Sequence, residues 1–290
     1  MAMKPTRRRQ VDVERARTEA GPGCPIFEVR DLAIGFGGDQ DVLRGVNLEI
    51  EHGEFLVLLG PSGCGKTTVL NLAAGLLFPR SGYVRFAGAE IEGVNTDVGY
   101  MTQDDTLLPW QSVQANVGLP LKMRKMAKEA IDERVARALA LMDLTEAAVR
   151  FPGQLSGGMR RRALLARSMI YEPRLLLMDE PFAALDAQMR AQMHVELRST
   201  VKRLGQTVMF VTHDISEAAK LADRVLVFGG GPPGGIVEEH RLIDDEDGAR
   251  SIEYMASVEA TLNEGLVRAR AGSAATSSTA ASKPIMEASS

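Results

Sequence analysis

Cysteine is scarce in this chain of 290 residues, which contains only Cys24 and Cys64. Cys64 lies within a glycine-rich segment, where a disulfide bond would distort the backbone. Unpaired cysteines are typical of a reducing compartment. We therefore expect no structural disulfide bond and a cytosolic setting.

A long apolar run is also absent. No segment approaches the roughly 18–20 uninterrupted apolar residues of a transmembrane helix. The basic start of the chain, Met1 to Ala20, is not followed by the apolar region of an export signal. We interpret residues 1–25 as a disordered basic tail. Attraction of its arginines to an anionic membrane surface is the alternative.

A large excess of either charge is lacking as well, because 34 basic and 38 acidic residues give a net charge of −4. This balance does not favour bulk binding of nucleic acid, so we expect no nucleic-acid partner. The length allows one large α/β domain or two small ones.

The most informative segment present is residues 60–68, with the sequence GPSGCGKTT. It fits the pattern G-x-x-x-x-G-K-[ST] and lies between a strand-like apolar run and a helical pattern, so it predicts a phosphate-binding loop. Backbone N–H groups of such a loop point at phosphate oxygens. Lys66 is expected to reach the β- and γ-phosphates of ATP, and the Thr67 hydroxyl to ligate Mg²⁺. The predicted ATP contacts are Gly60, Pro61, Ser62, Gly63, Cys64, Gly65, Lys66, Thr67 and Thr68.

The thiol of Cys64 lies among these amides at a helix N-terminus, an environment that favours the thiolate. We therefore expect Cys64 to react with a maleimide, and bound ATP to slow that reaction.

Two carboxylates follow a second strand-like run, Leu175 to Met178. Asp179 and Glu180 would emerge at the C-terminal end of a buried strand, where open α/β sheets bind ligands. Asp179 is expected to hold Mg²⁺ directly or through water. Glu180 is expected to polarise the attacking water.

Strand and helix patterns alternate along the chain, which predicts a mostly parallel sheet with helices on its faces. Residues 246–270 are expected to contain a short amphipathic helix, and the Ala/Ser/Thr-rich residues 271–290 to be disordered. Predicted strands cover 27–34, 46–50, 55–59, 98–101, 175–178, 208–211 and 225–228, and predicted helices cover 68–74, 128–144, 159–170, 187–204 and 215–221.

A third motif, LSGGM at residues 155–159, lies between the loop and the acidic strand. Ser156 is placed as a helix N-cap, and Gly157 and Gly158 leave the backbone bare, which predicts a second anion site at a helix N-terminus. The motif resembles the LSGGQ signature of ATP-binding cassette (ABC) ATPases, and the resemblance extends over residues 26–242. Met159 departs from the usual glutamine, and Arg161 stands where many members carry glutamine.

The resemblance implies an α/β fold of the ABC type of P-loop NTPase. Its parts would be a mostly parallel core sheet with helices, an N-terminal antiparallel β-subdomain, and a helical signature subdomain at about 104–170. These parts would form one nucleotide-binding domain at residues 26–245.

The resemblance also implies residue roles. Phe36 would stack on adenine, Gln103 would be the glutamine-loop residue, and His213 would be the switch histidine. Two cassettes would face head to tail, so that Ser156, Gly157 and Gly158 of one copy cap the ATP of the other. The implied catalytic residues are Glu180, His213 and Gln103, and the implied Mg²⁺ contacts are Thr67, Gln103 and Asp179.

Partners follow from the same resemblance. They are a second cassette, an integral membrane permease and, indirectly, an extracytoplasmic solute-binding protein, which would place the chain peripherally on the cytoplasmic face of the inner membrane. Residues 107–110 and 231–237 look like those of nitrate, sulfonate and taurine importers, and the short remainder after His240 leaves no room for the extra domain of sugar importers. The alternatives are a cassette of an exporter or lipid-transport system, and a soluble cassette ATPase without a transport role.

The segment from Gln103 to Val113 is the expected permease contact. Leu107, Leu108 and Trp110 are large and apolar within a segment that otherwise has the composition of a loop. Two interpretations stay open for Trp110, a local core residue or an anchor in a docking groove.

Overall fold

The structure is a computed structural model that describes residues 24–37, 40–243 and 250–279, with side chains described as far as Arg270. Residues 1–23 of the predicted tail at 1–25, and residues 280–290, lie outside the described part. The described strands are β1 (Phe27–Ile34), β2 (Leu43–Ile50), β3 (Phe55–Leu59), β4 (Ser81–Phe86), β5 (Ala89–Glu90), β6 (Val98–Met101), β7 (Leu175–Asp179), β8 (Val208–Thr212), β9 (Arg224–Gly229) and β10 (Gly235–Arg241). The described α-helices are α1 (Lys66–Ala73), α2 (Val113–Met123), α3 (Lys128–Leu141), α4 (Gly157–Met169), α5 (Ala187–Leu204), α6 (Ile215–Leu221) and α7 (Ile252–Thr279).

Two sheets organise these elements. The larger has the strand order β10-β9-β3-β8-β7-β6, and its strands run parallel except for β10, which pairs antiparallel with β9 at the edge. The smaller is antiparallel with the order β2-β1-β4-β5. This is the predicted combination of a mostly parallel core sheet and an N-terminal antiparallel sheet.

The central strand β3 shows why the core strands read as continuous apolar runs. All five of its residues are buried. Phe55, Val57 and Leu59 pack in the cluster that includes residues of α2, α3 and α4, whereas Leu56 and Leu58 pack in the cluster shared with α1 and the antiparallel sheet. Both faces of a parallel sheet are covered, so no alternation of polar residues is needed.

Several boundaries differ from the predictions, and the differences at β2 and α3 amount to three residues each. Strand β2 begins at Leu43 rather than residue 46, because Leu43 pairs with Ile34 of β1. Helix α3 ends at Leu141 rather than residue 144, because Asp143 has a φ of 55°, which a right-handed helix does not accommodate.

The last helix also differs from the prediction. Helix α7 begins at Ile252 and runs to Thr279, so residues 271–279, which we expected to be disordered, are helical. Three of these nine residues are alanine, but the other six are Gly, Ser or Thr, so intrinsic helix propensity alone does not explain the extension. The apolar face formed by Val258, Leu262, Leu266 and Ala269 is buried and anchors the helix.

No helix in the described part of the chain combines the length and the apolar character needed to span a bilayer.

The register of the parallel strands determines where a site can form. Leu59 of β3 pairs with Thr212 of β8, and Asp179 of β7 pairs with Val211 of β8. The C-terminal ends of β3, β7 and β8 therefore lie side by side, and the segments that follow them meet at one edge of the sheet.

Candidate nucleotide-binding site

The loop after β3 needs glycine at two positions for different reasons. Gly65 has a φ of 98°, and a Cβ there would lie 2.4 Å from Cδ2 of Leu43. At Gly60 a Cβ would lie 2.6 Å from the carbonyl oxygen of Phe228. The loop therefore packs closely between β2 and β9, and only glycine fits at positions 60 and 65.

Lys66 is the first residue of α1 and is 4% exposed. Its Nζ donates hydrogen bonds to the carbonyl oxygens of Gly60 at 2.8 Å and Pro61 at 2.7 Å. These bonds hold the ammonium group across the loop, beside the N-terminus of α1. A buried cation next to a helix N-terminus is a strong attraction for a polyanion.

Asp179 lies opposite the start of α1. The Thr67 hydroxyl donates to Oδ1 of Asp179 at 3.2 Å, which brings together two groups that lie 112 residues apart in the sequence. Burial raises the pKa of Asp179, and the hydrogen bond from Thr67 opposes that rise. The charge of Glu180 raises the pKa further, whereas Lys66 lowers it.

These groups border a cleft of about 290 Å³. Its walls include most of the predicted loop residues, together with a residue that follows β6 and the two acids at the end of β7. The residues concerned are Ser62, Gly63, Gly65, Lys66, Thr67, Thr68, Gln103, Asp179 and Glu180.

Glu180 has an unusual backbone. Its φ is 42°, a left-handed conformation that costs a non-glycine residue about 1 kcal/mol or more. Its N–H donates to the carbonyl of Val211 at 3.0 Å, which fixes this conformation against β8. Oε1 of Glu180 lies 3.1 Å from Nδ1 of His213, which follows β8. The predicted general base and the predicted switch histidine are therefore in direct contact.

Gln103 follows β6 and is held by the signature helix. Arg161 of α4 is buried and donates through Nη2 to the carbonyl oxygen of Gln103 at 2.9 Å. Arg160 lies 3.3 Å from Oδ2 of Asp105, and Arg167 donates to the carbonyl of Thr106 at 2.8 Å. Arg161, which the sequence marked only as a departure from the family, thus ties the segment after Gln103 to α4.

The residues of the signature motif lie outside this cleft. The Ser156 hydroxyl accepts from the N–H of Met159 at 3.3 Å, which confirms the predicted N-cap of α4. A Cβ on Gly158 would lie 2.4 Å from Sδ of Met189, so α5 packs directly against this turn. Among the described residues, the lining of the cleft does not include Ser156, Gly157, Gly158 or Phe36. Phe36 is 57% exposed.

Cys64 does not behave as the sequence suggested. The side chain is 4% exposed, and burial raises the pKa of its thiol, although the neighbouring Lys66 ammonium lowers it. The expectation of a reactive thiolate is therefore wrong in direction, because the loop excludes the sulfur from solvent.

We expect a maleimide to label Cys24, which is partly exposed, well before Cys64 in the native protein. Peptide mass spectrometry after timed labelling measures both rates. A Cys24→Ser variant should then resist labelling until denaturant is added. Rapid labelling of native Cys64 would contradict the buried geometry.

Comparison with known proteins decides the family. The taurine import ATP-binding protein TauB of Chromobacterium violaceum is 45% identical to this chain over 205 residues, which cover 71% of the chain and 78% of TauB. The chain belongs to the ABC transporter ATPase family. The family model described as "ABC transporter" matches residues 43–183 of this ABC cassette.

Other relatives of the cassette carry different import names. The spermidine/putrescine import ATP-binding protein PotA of Pseudomonas aeruginosa is 44% identical over 210 residues, covering 71% of the chain but 58% of PotA. The trehalose import protein SugC of Mycobacterium tuberculosis is 44% identical over 192 residues. The cassette thus spans somewhat more than half the length of several relatives. The nitrate, sulfonate and taurine branch is one of several import types that it resembles.

Solved structures agree with the fold. The dimeric post-hydrolysis structure of the cassette MJ0796 with ADP and Pi has a TM-score of 0.64 and 29% identity, and covers 76% of this chain and all of that chain. The structure of cbiO1 from Clostridium perfringens has a TM-score of 0.69 and 27% identity over 75% of this chain. Together with the two sheets described above, these matches confirm the predicted ABC-type P-loop fold.

Proposed function

We propose that this cassette is the ATP-hydrolysing subunit of an ABC importer and works peripherally at the cytoplasmic face of the inner membrane. The observation that carries the proposal is the meeting of three groups at adjacent strand ends. Lys66 follows β3, Glu180 follows β7, and His213 follows β8 within 3.1 Å of Glu180. Relatives named as import ATP-binding proteins support the importer assignment.

ATP binding begins with the loop after β3. Its inward N–H groups and the Lys66 ammonium hold the phosphates, because a polyanion replaces the weaker carbonyl contacts of the cation. The exposed ring of Phe36 is available to stack on adenine. In this proposal the Phe36 ring and the phosphate-binding loop contact only the nucleotide, so neither selects the transported solute.

The donors beside the loop fit Mg²⁺. The Thr67 hydroxyl, the Asp179 carboxylate and the Gln103 amide supply hard oxygen atoms. In the described ranges no group of three or more His, Cys, Asp or Glu residues could hold a metal by itself. Mg²⁺ held by the Thr67, Asp179 and Gln103 oxygen atoms would neutralise charge on the phosphates of ATP.

Hydrolysis requires a base and a group that orients it. The Glu180 carboxylate accepts a proton from the attacking water, and the His213 imidazole beside it fixes the carboxylate. The side chain of His213 is 58% exposed and lies beside Glu180, which lines the cleft, so it is placed to contact the γ-phosphate of a bound ATP. Gln103 contributes an amide that can both donate to the phosphate and accept from water.

A second copy of the cassette would complete the site. Ser156 and the glycines that follow lie at the N-terminus of α4, outside the cleft of their own chain. A helix N-terminus binds anions, so this turn can cap the γ-phosphate held by a partner. The dimeric structure of the related cassette MJ0796 supports a pair of cassettes here.

A groove on the helical subdomain is suited to the permease. It has a volume of about 880 Å³ and lies between α2 and α3. Trp110 and Phe151 stand at its rim with 71% and 46% of their surfaces exposed, whereas Leu107 is buried. The two interpretations of this segment thus divide between residues. Leu107 is core, and Trp110 is available as an anchor for a short permease helix.

Trp110→Ala should therefore leave the ATPase rate of the isolated cassette near that of wild type and abolish co-purification with the permease. Phe78→Ala is the matched control, because Phe78 is also an exposed aromatic residue, 52% exposed, but lies outside the groove. Affinity purification from detergent-solubilised membranes measures the association. A Trp110→Ala cassette that still co-purifies would remove Trp110 from the docking surface.

The transported solute is proposed as a small anionic or organic molecule, as in nitrate, sulfonate or taurine import. The similarity to TauB and the segment from Leu107 to Trp110 support this choice. The direct test is phosphate release by the purified cassette, followed by ATP-driven uptake of taurine by vesicles that contain the co-purified permease. Uptake of a polyamine or sugar instead would reject the anionic solute, and an absence of phosphate release would reject the ATPase.

A further inference from the structure

A buried polar network lies directly behind His213. Thr212, Glu217 and His194 are 1%, 4% and 5% exposed, respectively. They come from three different elements, β8, α6 and α5. The proposed hydrolysis uses none of them, and none lines the phosphate cleft.

Glu217 is the centre of this network. Its Oε2 accepts from the Thr212 hydroxyl at 2.6 Å, and its Oε1 lies 3.1 Å from Nε2 of His194. Nε2 is therefore the ring nitrogen through which His194 contacts Glu217. Among the described residues Nδ1 of His194 has no hydrogen-bond partner, and the ring packs edge-on against Phe182 at 5.3 Å between centroids. The polar contact of His194 is therefore the one it makes to Glu217.

The network continues into the backbone on both sides of His213. The Thr212 hydroxyl, which donates to Glu217, also accepts from the N–H of Asp214 at 2.9 Å. Oδ1 of Asp214 accepts from the N–H groups of Ser216 at 2.8 Å and Glu217 at 3.3 Å and so caps α6. Both neighbours of His213 are thereby held, while its own imidazole projects toward Glu180.

Other charged groups around the network are already engaged. Nη1 of Arg190 in α5 lies 3.5 Å from Oδ2 of Asp214, and Nη2 of the same side chain donates to the carbonyl oxygen of Leu185. Arg198, on the far side of His194 along α5, lies 3.4 Å from Oδ1 of Asp223. His194 and Thr212 are therefore the side chains that hydrogen-bond the Glu217 carboxylate in the described structure.

We infer that Glu217, oriented by His194, is a positioning residue for His213 and acts through the Thr212 hydroxyl. This inference rests on the proposed hydrolysis by Glu180. The network sets the backbone angle from which the imidazole meets the Glu180 carboxylate. A misplacement on the order of 1 Å at such a group costs up to about 100-fold in rate. Loss of the network should lower kcat without changing the KM for ATP, because the phosphate-binding loop is untouched.

Thr212→Val is the main test, with Thr207→Val as its matched control. Both threonines are buried. Thr207 immediately precedes β8 and Thr212 is its last residue, and the Thr207 hydroxyl accepts from the N–H of Gly53 at 3.0 Å. In the full-length protein Thr212→Val should lower kcat at least about tenfold with an unchanged KM. Thr207→Val should lower the melting temperature about as much as Thr212→Val does, but it should keep the wild-type kcat.

Two further measurements separate positioning from mere stability. Thr212→Ser restores the hydroxyl and should recover the wild-type kcat. Hydrogen–deuterium exchange at the amide of Asp214 should accelerate in Thr212→Val and not in Thr207→Val. In Glu217→Gln the amide nitrogen cannot accept a hydrogen bond, so the variant loses one of the two hydrogen bonds and should also lower kcat. It serves as the test if Thr212→Val fails to fold.

Each outcome decides between alternatives. If wild type releases phosphate and Thr212→Val and Glu217→Gln keep its kcat, the network only stabilises the fold and this inference is overturned alone. If wild type releases no phosphate, the proposed function fails and this inference fails with it.

Discussion

Glu180→Gln should lower phosphate release at least about 100-fold, which is the usual contribution of a general base. The carboxamide keeps the size of the side chain but cannot take a proton from water. ATP binding should persist, because the contacts of Lys66 and the loop amides are unchanged. The variant should therefore accumulate as an ATP-bound dimer, and size-exclusion chromatography with and without ATP measures this.

Glu172→Gln is the matched control. Glu172 also has a left-handed backbone, with a φ of 57°, but its side chain is 78% exposed and faces Arg134. Since both substitutions exchange the same atoms at a similar backbone angle, a loss of activity confined to Glu180→Gln would report the chemistry of the carboxylate. Equal activity in the two variants would exclude Glu180 as the base.

Lys66→Ala should weaken ATP binding roughly 30-fold, the equivalent of about 2 kcal/mol for a hydrogen bond to a charged group. The ammonium is buried within the loop, so no other described side chain lining the cleft carries a positive charge that could replace it. Titration with a fluorescent ATP analogue measures the affinity. The hydrolysis rate at saturating ATP falls as well, since the cation also stabilises charge on the phosphates.

Lys128→Ala serves as the control for removing a lysine. Lys128 lies on the helical subdomain, where its Nζ pairs with Oδ2 of Asp132 at 2.8 Å, far along the chain from the loop. Its loss should leave ATP affinity unchanged. If Lys66→Ala bound ATP as tightly as Lys128→Ala, the loop would not hold phosphates in the way proposed here.

The two variants also separate binding from chemistry. Lys66→Ala affects the affinity first, and Glu180→Gln affects turnover with the affinity intact. We expect the double variant to bind ATP as weakly as Lys66→Ala alone. The two groups follow different strands, and Glu180→Gln by itself leaves the affinity for ATP unchanged.

The sequence by itself determined the chemical parts of this cassette. The loop at residues 60–68, the paired acids at the end of β7 and the Ser156 cap could all be predicted, because each depends on neighbours within a few residues. Helices α5 and α6 matched their predicted bounds, since Asp186 and Asp214 cap them locally. The extension of α7 to Thr279 was missed because composition alone was taken as a sign of disorder.

The tertiary structure decided what these parts touch. The contact of Glu180 with His213, the bond from Arg161 to Gln103, and the burial of Cys64 all join segments that are distant along the chain or surrounded by distant residues. Periodicity carries no information about which strand lies beside which, and the order β3-β8-β7 brings these groups together. The exposure of Trp110 and the hydrogen bonds of Glu217 likewise depend on how distant segments pack together. A side chain's solvent exposure and its hydrogen-bond partners depend on elements packed from elsewhere in the chain, which local sequence does not specify.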